Sequence, residues 1–263
     1  MLSALVIVFR EVLEMAIILG LLFAATKDVA GARKWIVSGA GLGLLGAMLF
    51  ALFMDEVESG MDGNGEFVFN AVLLGLASVL LAWTVIWMNK HGREMSSRLR
   101  QAGQSVAEGD LPMKSLLLVS LAAVMREGGE AVFFLFGAMQ MEDDAHAMLL
   151  GGGLGLLAGA VLGIVLYQGL IRIPMQYVFK VMGALLILLA AGMASQAASN
   201  LVLVDMLPPI IDTLWDSSFL LSDESLMGEL LHVLMGYDAQ PSGMQMLVFV
   251  ATLGVVTYFY RRT

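Results

Sequence analysis

The sequence predicts an all-α integral membrane protein in which seven transmembrane helices form two inverted three-helix repeats with a seventh helix appended. Three observations carry this expectation. Hydrophobic residues make up 59% of the chain and charged residues only 14%, with a mean hydropathy of +0.85, well outside the range of a soluble domain. Seven stretches approach the length of about 20 mainly apolar residues that a helix needs to cross the hydrocarbon core. The segments between them sort by charge, with basic residues in alternate connections.

The stretches are expected at 2–26, 35–54, 67–89, 114–138, 147–171, 175–199 and 242–260. Little sequence remains for a soluble domain. The chain therefore reads as one transmembrane domain over 1–263, with repeat one over 1–90, repeat two over 114–199, an outer loop over 200–241 and helix seven over 242–260. The first stretch starts where a secretory signal would, but its charges, Arg10, Glu11 and Glu14, lie in mid-stretch, so a retained helix is expected. Cysteine is absent, which excludes disulfides, thiolate metal sites and cysteine nucleophiles. No glycine-rich phosphate loop stands in a strand-to-helix context, so nucleotide-driven transport within this chain is not expected. Nucleic acid is not an expected partner, whereas membrane lipid is.

Lys and Arg resist translocation and accumulate on the cytoplasmic side. Lys27, Arg33 and Lys34 lie between stretches one and two; Lys90, Arg93, Arg98, Arg100 and Lys114 between three and four; Arg172 and Lys180 flank the turn between five and six; Arg261 and Arg262 end the chain. The connections over 55–66, 139–146 and 200–241 contain none. Seven helices with the N-terminus outside and the C-terminus cytoplasmic satisfy all of these positions.

The acids follow the opposite rule. Of 23, only Asp28, Glu94, Glu108 and Asp110 fall in the inner connections and four fall inside helices one and four; all the others are outer. Asp55, Glu56, Glu58, Glu66, Asp143, Asp144 and Asp216 are candidates for an acidic entrance that concentrates cations. Solvation of loop surfaces is the plainer account of any one of them.

The chain also echoes itself. Arg10-Glu11-Val12-Leu13-Glu14 returns as Arg126-Glu127-Gly128-Gly129-Glu130, Gly39-Ala40-Gly41-Leu42-Gly43 as Gly151-Gly152-Gly153-Leu154-Gly155, and Phe67-Val68-Phe69 as Tyr177-Val178-Phe179. These echoes fall in helices one and four, two and five, and three and six, in the same order. A unit of three helices is odd, so its second copy is inverted across the membrane. The glycine rows on helices two and five offer close backbone approach, a structural role.

A charge at mid-bilayer costs from about 2.5 to over 10 kcal/mol, so ionisable residues there usually face a cavity and work. At about 100° per residue, Arg10, Glu11 and Glu14 share one helical face, and the second motif repeats the arrangement. Inversion about the midplane brings Glu11, Glu14, Glu127 and Glu130 together against Arg10 and Arg126, which leaves a surplus of negative charge for a multivalent cation. The competing account, a set of internal Arg–Glu locks, leaves the surplus carboxylates uncompensated. Oxygen-only donors suit hard cations such as Fe³⁺, Mg²⁺, Ca²⁺ or Mn²⁺ better than Cu⁺ or Zn²⁺. The 20 methionines are scattered without a ladder and read as adaptable packing. His91, His146 and His232 lie in or beside connections, which argues against a di-iron enzyme of the Glu-x-x-His kind.

With two Arg-Glu-x-x-Glu motifs in helices one and four of seven, the chain resembles the oxidase-dependent high-affinity iron permeases, in their bacterial EfeU-like branch. The stretch Trp215-Asp216-Ser217-Ser218 and the run Gly236-Tyr237-Asp238-Ala239-Gln240-Pro241-Ser242-Gly243-Met244-Gln245 resemble that branch's outer loop and approach to helix seven. The resemblance covers essentially the whole chain. It implies a permease rather than an enzyme, set in the plasma membrane or bacterial inner membrane, with the family's glutamate ligands falling on Glu11, Glu14, Glu127 and Glu130. It implies iron as transported substrate rather than resident cofactor, oxidised outside by a separate extracytoplasmic oxidase or donor and handed over as Fe³⁺. Some relatives are associated with lead, so lead or manganese remains an alternative cargo, and an intramembrane carboxylate-metal enzyme an alternative of another class.

Overall fold

A computed structural model describes residues 1–59, 64–140, 145–168, 175–221, 225, 227, 228, 231, 232 and 236–262. Among these residues there is no strand, and seven helices have 20 residues or more. They are α1 (Leu2–Ala25), α2 (Ala32–Ser59), α3 (Asn64–Ala107), α4 (Lys114–Met139), α5 (Ala145–Tyr167), α6 (Met175–Leu203) and α7 (Gly243–Arg262). Five of them, α2, α3, α5, α6 and α7, contain windows long and apolar enough to cross a membrane. α1 and α4 are of similar length but carry the Arg-Glu-x-x-Glu motifs in mid-helix.

The helix limits track the apolar stretches to within a few residues except in α3. There the apolar window ends at Met88, yet the helix runs on to Ala107, 44 residues in all. At 1.5 Å per residue that is about 66 Å, twice the hydrocarbon thickness. Hydropathy drops at Lys90 because charges begin, but the residues that follow are mostly good helix formers and no proline intervenes before Pro112. Gly109, at φ +87, turns the chain after the helix in a conformation that a side chain would strain. Near its far end, Gly103 lies against Ala25, and Val106 packs with Leu22, Ala32, Ile36 and Leu116 where α1 ends and α2 and α4 begin.

The main core gathers buried side chains of α1, α3, α4 and α6, among them Ile7, Leu74, Leu81, Phe134, Leu186 and Met193. α2 packs chiefly on α4, α5 on α1, α3 on α6, and α7 on α6. Glycine makes the first two approaches close. A Cβ added to Gly39 would strike the carbonyl of Leu117, and one added to Gly43 would stand 2.9 Å from that of Leu121. On the other pair, a Cβ at Gly151 would strike the carbonyl of Met1, and one at Gly155 would lie 2.5 Å from that of Leu5. Outward, α2 and α5 present Leu49, Leu52, Phe53, Leu149 and Leu157, each at least 60% exposed. A soluble protein rarely leaves so much apolar surface uncovered, but lipid covers it without cost.

Between α6 and α7 the chain is braced by its own polar groups. Ser217 N–H donates to the Ala239 carbonyl and Leu214 N–H to that of Pro241. Tyr237 Oη shares a 2.7 Å hydrogen bond with Ser217 Oγ and donates to the Leu221 carbonyl at 2.9 Å. Ser242 and Gln245 close a capping box at the start of α7, each backbone N–H donating to the other's side chain. Within the outer loop, most of residues 222–235 lie outside the described residues.

Candidate metal centre

Each motif sits mid-helix, where the 100° turn per residue sends its arginine and two glutamates to one side. α1 and α4 pack together there. Three of the four expected carboxylates meet: each of Glu11, Glu14 and Glu127 offers an oxygen within 4.8 Å of the other two. All are buried, at 0%, 6% and 4% exposure. Glu130 stands outside this group.

The arginines are not equivalent. Arg10 is buried and bridges both glutamates of its own motif, Nη1 to Glu11 Oε1 at 2.6 Å and Nη2 to Glu14 Oε1 at 2.9 Å. Arg126 is 42% exposed; its Nε donates to Glu130 Oε1 at 3.0 Å and lies 3.9 Å from Glu127. Its guanidinium covers the Trp87 ring at 5.2 Å, and Glu130 Oε2 accepts a long hydrogen bond of 3.4 Å from Thr84 Oγ1. Thr84 and Trp87 were not among the expected site residues. A lone threonine and a tryptophan in an apolar stretch carry no signal of their own; only the fold brings α3 against α4.

Three buried oxygens, Glu11 Oε2, Glu14 Oε1 and Glu127 Oε2, receive no hydrogen bond. For Glu14 Oε1 the close approach of Arg10 is an ion pair whose angle falls outside hydrogen-bonding geometry. Two ionised carboxylates within 4.8 Å of each other repel by at least about 3 kcal/mol at an effective dielectric constant of about 20. One arginine cannot offset three such charges, whereas a multivalent cation held among these carboxylates can. Oxygen donors in this number suit a hard ion.

The outer acids are more dispersed. Asp55 and Glu56 are exposed near the end of α2. The side chains of Glu58 and Glu66, and the whole of Asp143 and Asp144, lie outside the described residues. Asp216 is exposed but engaged, accepting from Ser218 Oγ and N–H and from Gln240 Nε2. The Ser218 hydroxyl first, then its backbone N–H, hold the Asp216 carboxyl below the usual carboxylate range.

Residues 1–260 match the iron permease FTR1 family. The chain belongs to that family. Its relatives include the "Ferrous iron permease EfeU" of Escherichia coli O157:H7 and that of Shigella sonnei (strain Ss046), each 33% identical over 247 residues, or 92% of this chain and 89% of the relative. The "Ferrous iron permease EfeU" of Shigella flexneri is 32% identical over 199 residues, 75% of this chain and 84% of the relative. No solved structure matches the chain. Family membership makes it a permease, not an enzyme, and with its apolar helices a multi-pass membrane protein whose family transports iron. The expected resemblance is borne out, and the motifs that suggested it lie in the two charged helices.

Proposed function

We propose that this chain imports iron across the plasma membrane or bacterial inner membrane through one site made by Glu11, Glu14, Glu127 and Glu130. The observation that carries this reading is the buried group of three carboxylates, each with one oxygen that accepts no hydrogen bond. Arg10 and Arg126 balance charge when no ion is present. In transport, all seven long helices cross the membrane, the N-terminus outside, and the two three-helix repeats rock about the shared site. The glycine contacts support the two-repeat reading. Gly39 meets Leu117, and Gly43 meets Leu121, as Gly151 meets Met1 and Gly155 meets Leu5, and these pairs keep the same spacings as the sequence echoes.

Iron oxidised outside by a separate oxidase or donor would arrive as Fe³⁺, which suits hard oxygen ligands, whereas the relatives' names give ferrous iron. Exposed Asp55 and Glu56, with Glu58, Glu66, Asp143, Asp144 and Asp216, form the acidic entrance that raises cation concentration at the outer mouth. The test is radioiron uptake into proteoliposomes holding this protein alone, with iron offered as Fe²⁺ under ascorbate or as Fe³⁺ citrate. Saturable uptake is expected, greater for Fe³⁺ in the absence of an oxidase. Glu14→Gln and Glu130→Gln together should lower it at least about tenfold, since each removes an anionic ligand. Uptake at the unmodified rate by that double variant, inserted at normal levels, would overturn the site.

A further inference from the structure

The two motifs are the same in sequence but not in their surroundings. Arg10 is enclosed and gripped by both of its glutamates. Arg126 is 42% exposed and grips Glu130. The neighbours that hold this second pair come from α3: Thr84, 4% exposed, reaches Glu130, and Trp87, one helical turn on, lies under Arg126. The echo of Phe67-Val68-Phe69 in Tyr177-Val178-Phe179 maps Thr84 and Trp87 onto Ala194 and Ala197 of α6, which have neither a hydroxyl nor a ring. The difference between the half-sites is therefore built into the chain.

A half-exposed guanidinium at the depth of a mid-membrane motif is tolerated beside water or protein but not beside lipid tails. Thus the α4 half-site has the more open surroundings, while the α1 half-site is closed within the bundle. Glu130 is the one motif carboxylate outside the group of three. It is engaged by a partner on its own helix and one on α3.

We propose that Thr84 and Trp87 are positioning residues that hold Arg126 and Glu130 off the Glu11, Glu14 and Glu127 group, making the Arg126–Glu130 arm of the α4 motif the movable part of the ion site. An arriving cation takes over the charge balance that Arg126 supplies. Glu130 then leaves Thr84 and joins as fourth carboxylate, and Arg126 leaves the Trp87 face. Without Thr84 or Trp87 the empty arm loses the contacts that hold it away, and Glu130 joins the other carboxylates at lower cost. This inference deepens the proposed site and rests on it.

The test has two parts. In proteoliposomes, Thr84→Val and Trp87→Leu should each lower the apparent KM for iron by up to about tenfold, the order of one hydrogen bond or cation–π contact that only the empty site makes, while the maximal rate changes less than about twofold. Thr84→Ser and Trp87→Phe, which keep the hydroxyl and the ring, should restore KM. In a background carrying Trp35→Phe, Trp83→Phe and Trp215→Phe, Trp87 is the sole emitter. Its fluorescence should shift on adding Ga³⁺ citrate or Zn²⁺, closed-shell ions that do not quench as iron does, and Glu130→Gln should abolish the shift. If metal binds by equilibrium dialysis while Trp87 emission stays unchanged, the proposal is overturned, even where Thr84→Val or Trp87→Leu fails to fold. Wild-type kinetics in both of those variants, with Glu11→Gln inactive, would sink the positioning role and leave the ion site standing. Wild-type transport by Glu11→Gln would remove the site reading itself.

Discussion

A guanidinium at 5% exposure and another at 42% occupy the same position in two motifs of identical pattern, and their environments assign them different energetic roles. Removing Arg10 leaves Glu11 and Glu14 buried without the guanidinium that bridges both, a loss of about 3–5 kcal/mol for a buried pair. Removing Arg126 frees the partly buried Glu130 and relaxes a longer 3.9 Å pairing with Glu127, a smaller loss because the guanidinium is itself half-exposed. Arg10→Ala should therefore lower Tm in detergent by several degrees more than Arg126→Ala, while both impair uptake. Lys at position 10 should retain more transport than Ala, but less than Arg, because one ammonium cannot span two carboxylates as the guanidinium fork does. Equal thermal shifts for the two alanine variants would contradict this assignment. The six motif residues were legible because charges in apolar stretches are conspicuous. Their inequivalence was not, because it arises from Thr84 and Trp87, whose pairing with the α4 motif depends on how α3 packs.

Between elements, the glycine rows set how closely helices approach, and with it where the motifs meet. A Cβ at Gly155 would lie 2.5 Å from the Leu5 carbonyl and 2.9 Å from the Phe9 nitrogen, both backbone atoms that cannot turn aside. Phe9 directly precedes the first motif, so pushing α5 away disturbs the frame that holds Arg10 and Glu11. Gly153, on the same helix, has nothing within 4 Å of an added Cβ. Gly155→Leu should thus cost at least about 1–3 kcal/mol and abolish uptake, whereas Gly153→Leu should leave both Tm and uptake near the unmodified values. Matching behaviour of the two would show that close packing of α1 and α5 is unimportant. These rows could be read from the glycine periodicity, but their partners could not: nothing local pairs α2 with α4 rather than with its sequence neighbour α1. The extension of α3 was missed for a related reason, since hydropathy reports the solvent of a segment and not whether its backbone stays helical past Lys90.

Across the whole molecule, charges outside the site bear on the proposed orientation. The apolar faces of α2 and α5 require lipid around them, and basic residues then decide which connections remain cytoplasmic. Arg93, Arg98 and Arg100 lie in the extended part of α3, while the α6–α7 connection has no Lys or Arg and carries Asp205, Asp212 and Asp216. Moving the first group outward would oppose the charge bias that sets topology, and moving the second inward gains nothing. Ser97 and Thr213 are both exposed in the fold, so an aqueous thiol reagent distinguishes them by membrane side rather than by burial. The chain has no cysteine to confuse the result. In intact cells, Thr213→Cys should react with an impermeant maleimide and Ser97→Cys should react only after permeabilisation. Reaction of Ser97→Cys from outside, with Thr213→Cys protected, would reverse the proposed orientation and rule out Asp55, Glu56 and Asp216 as an outer entrance.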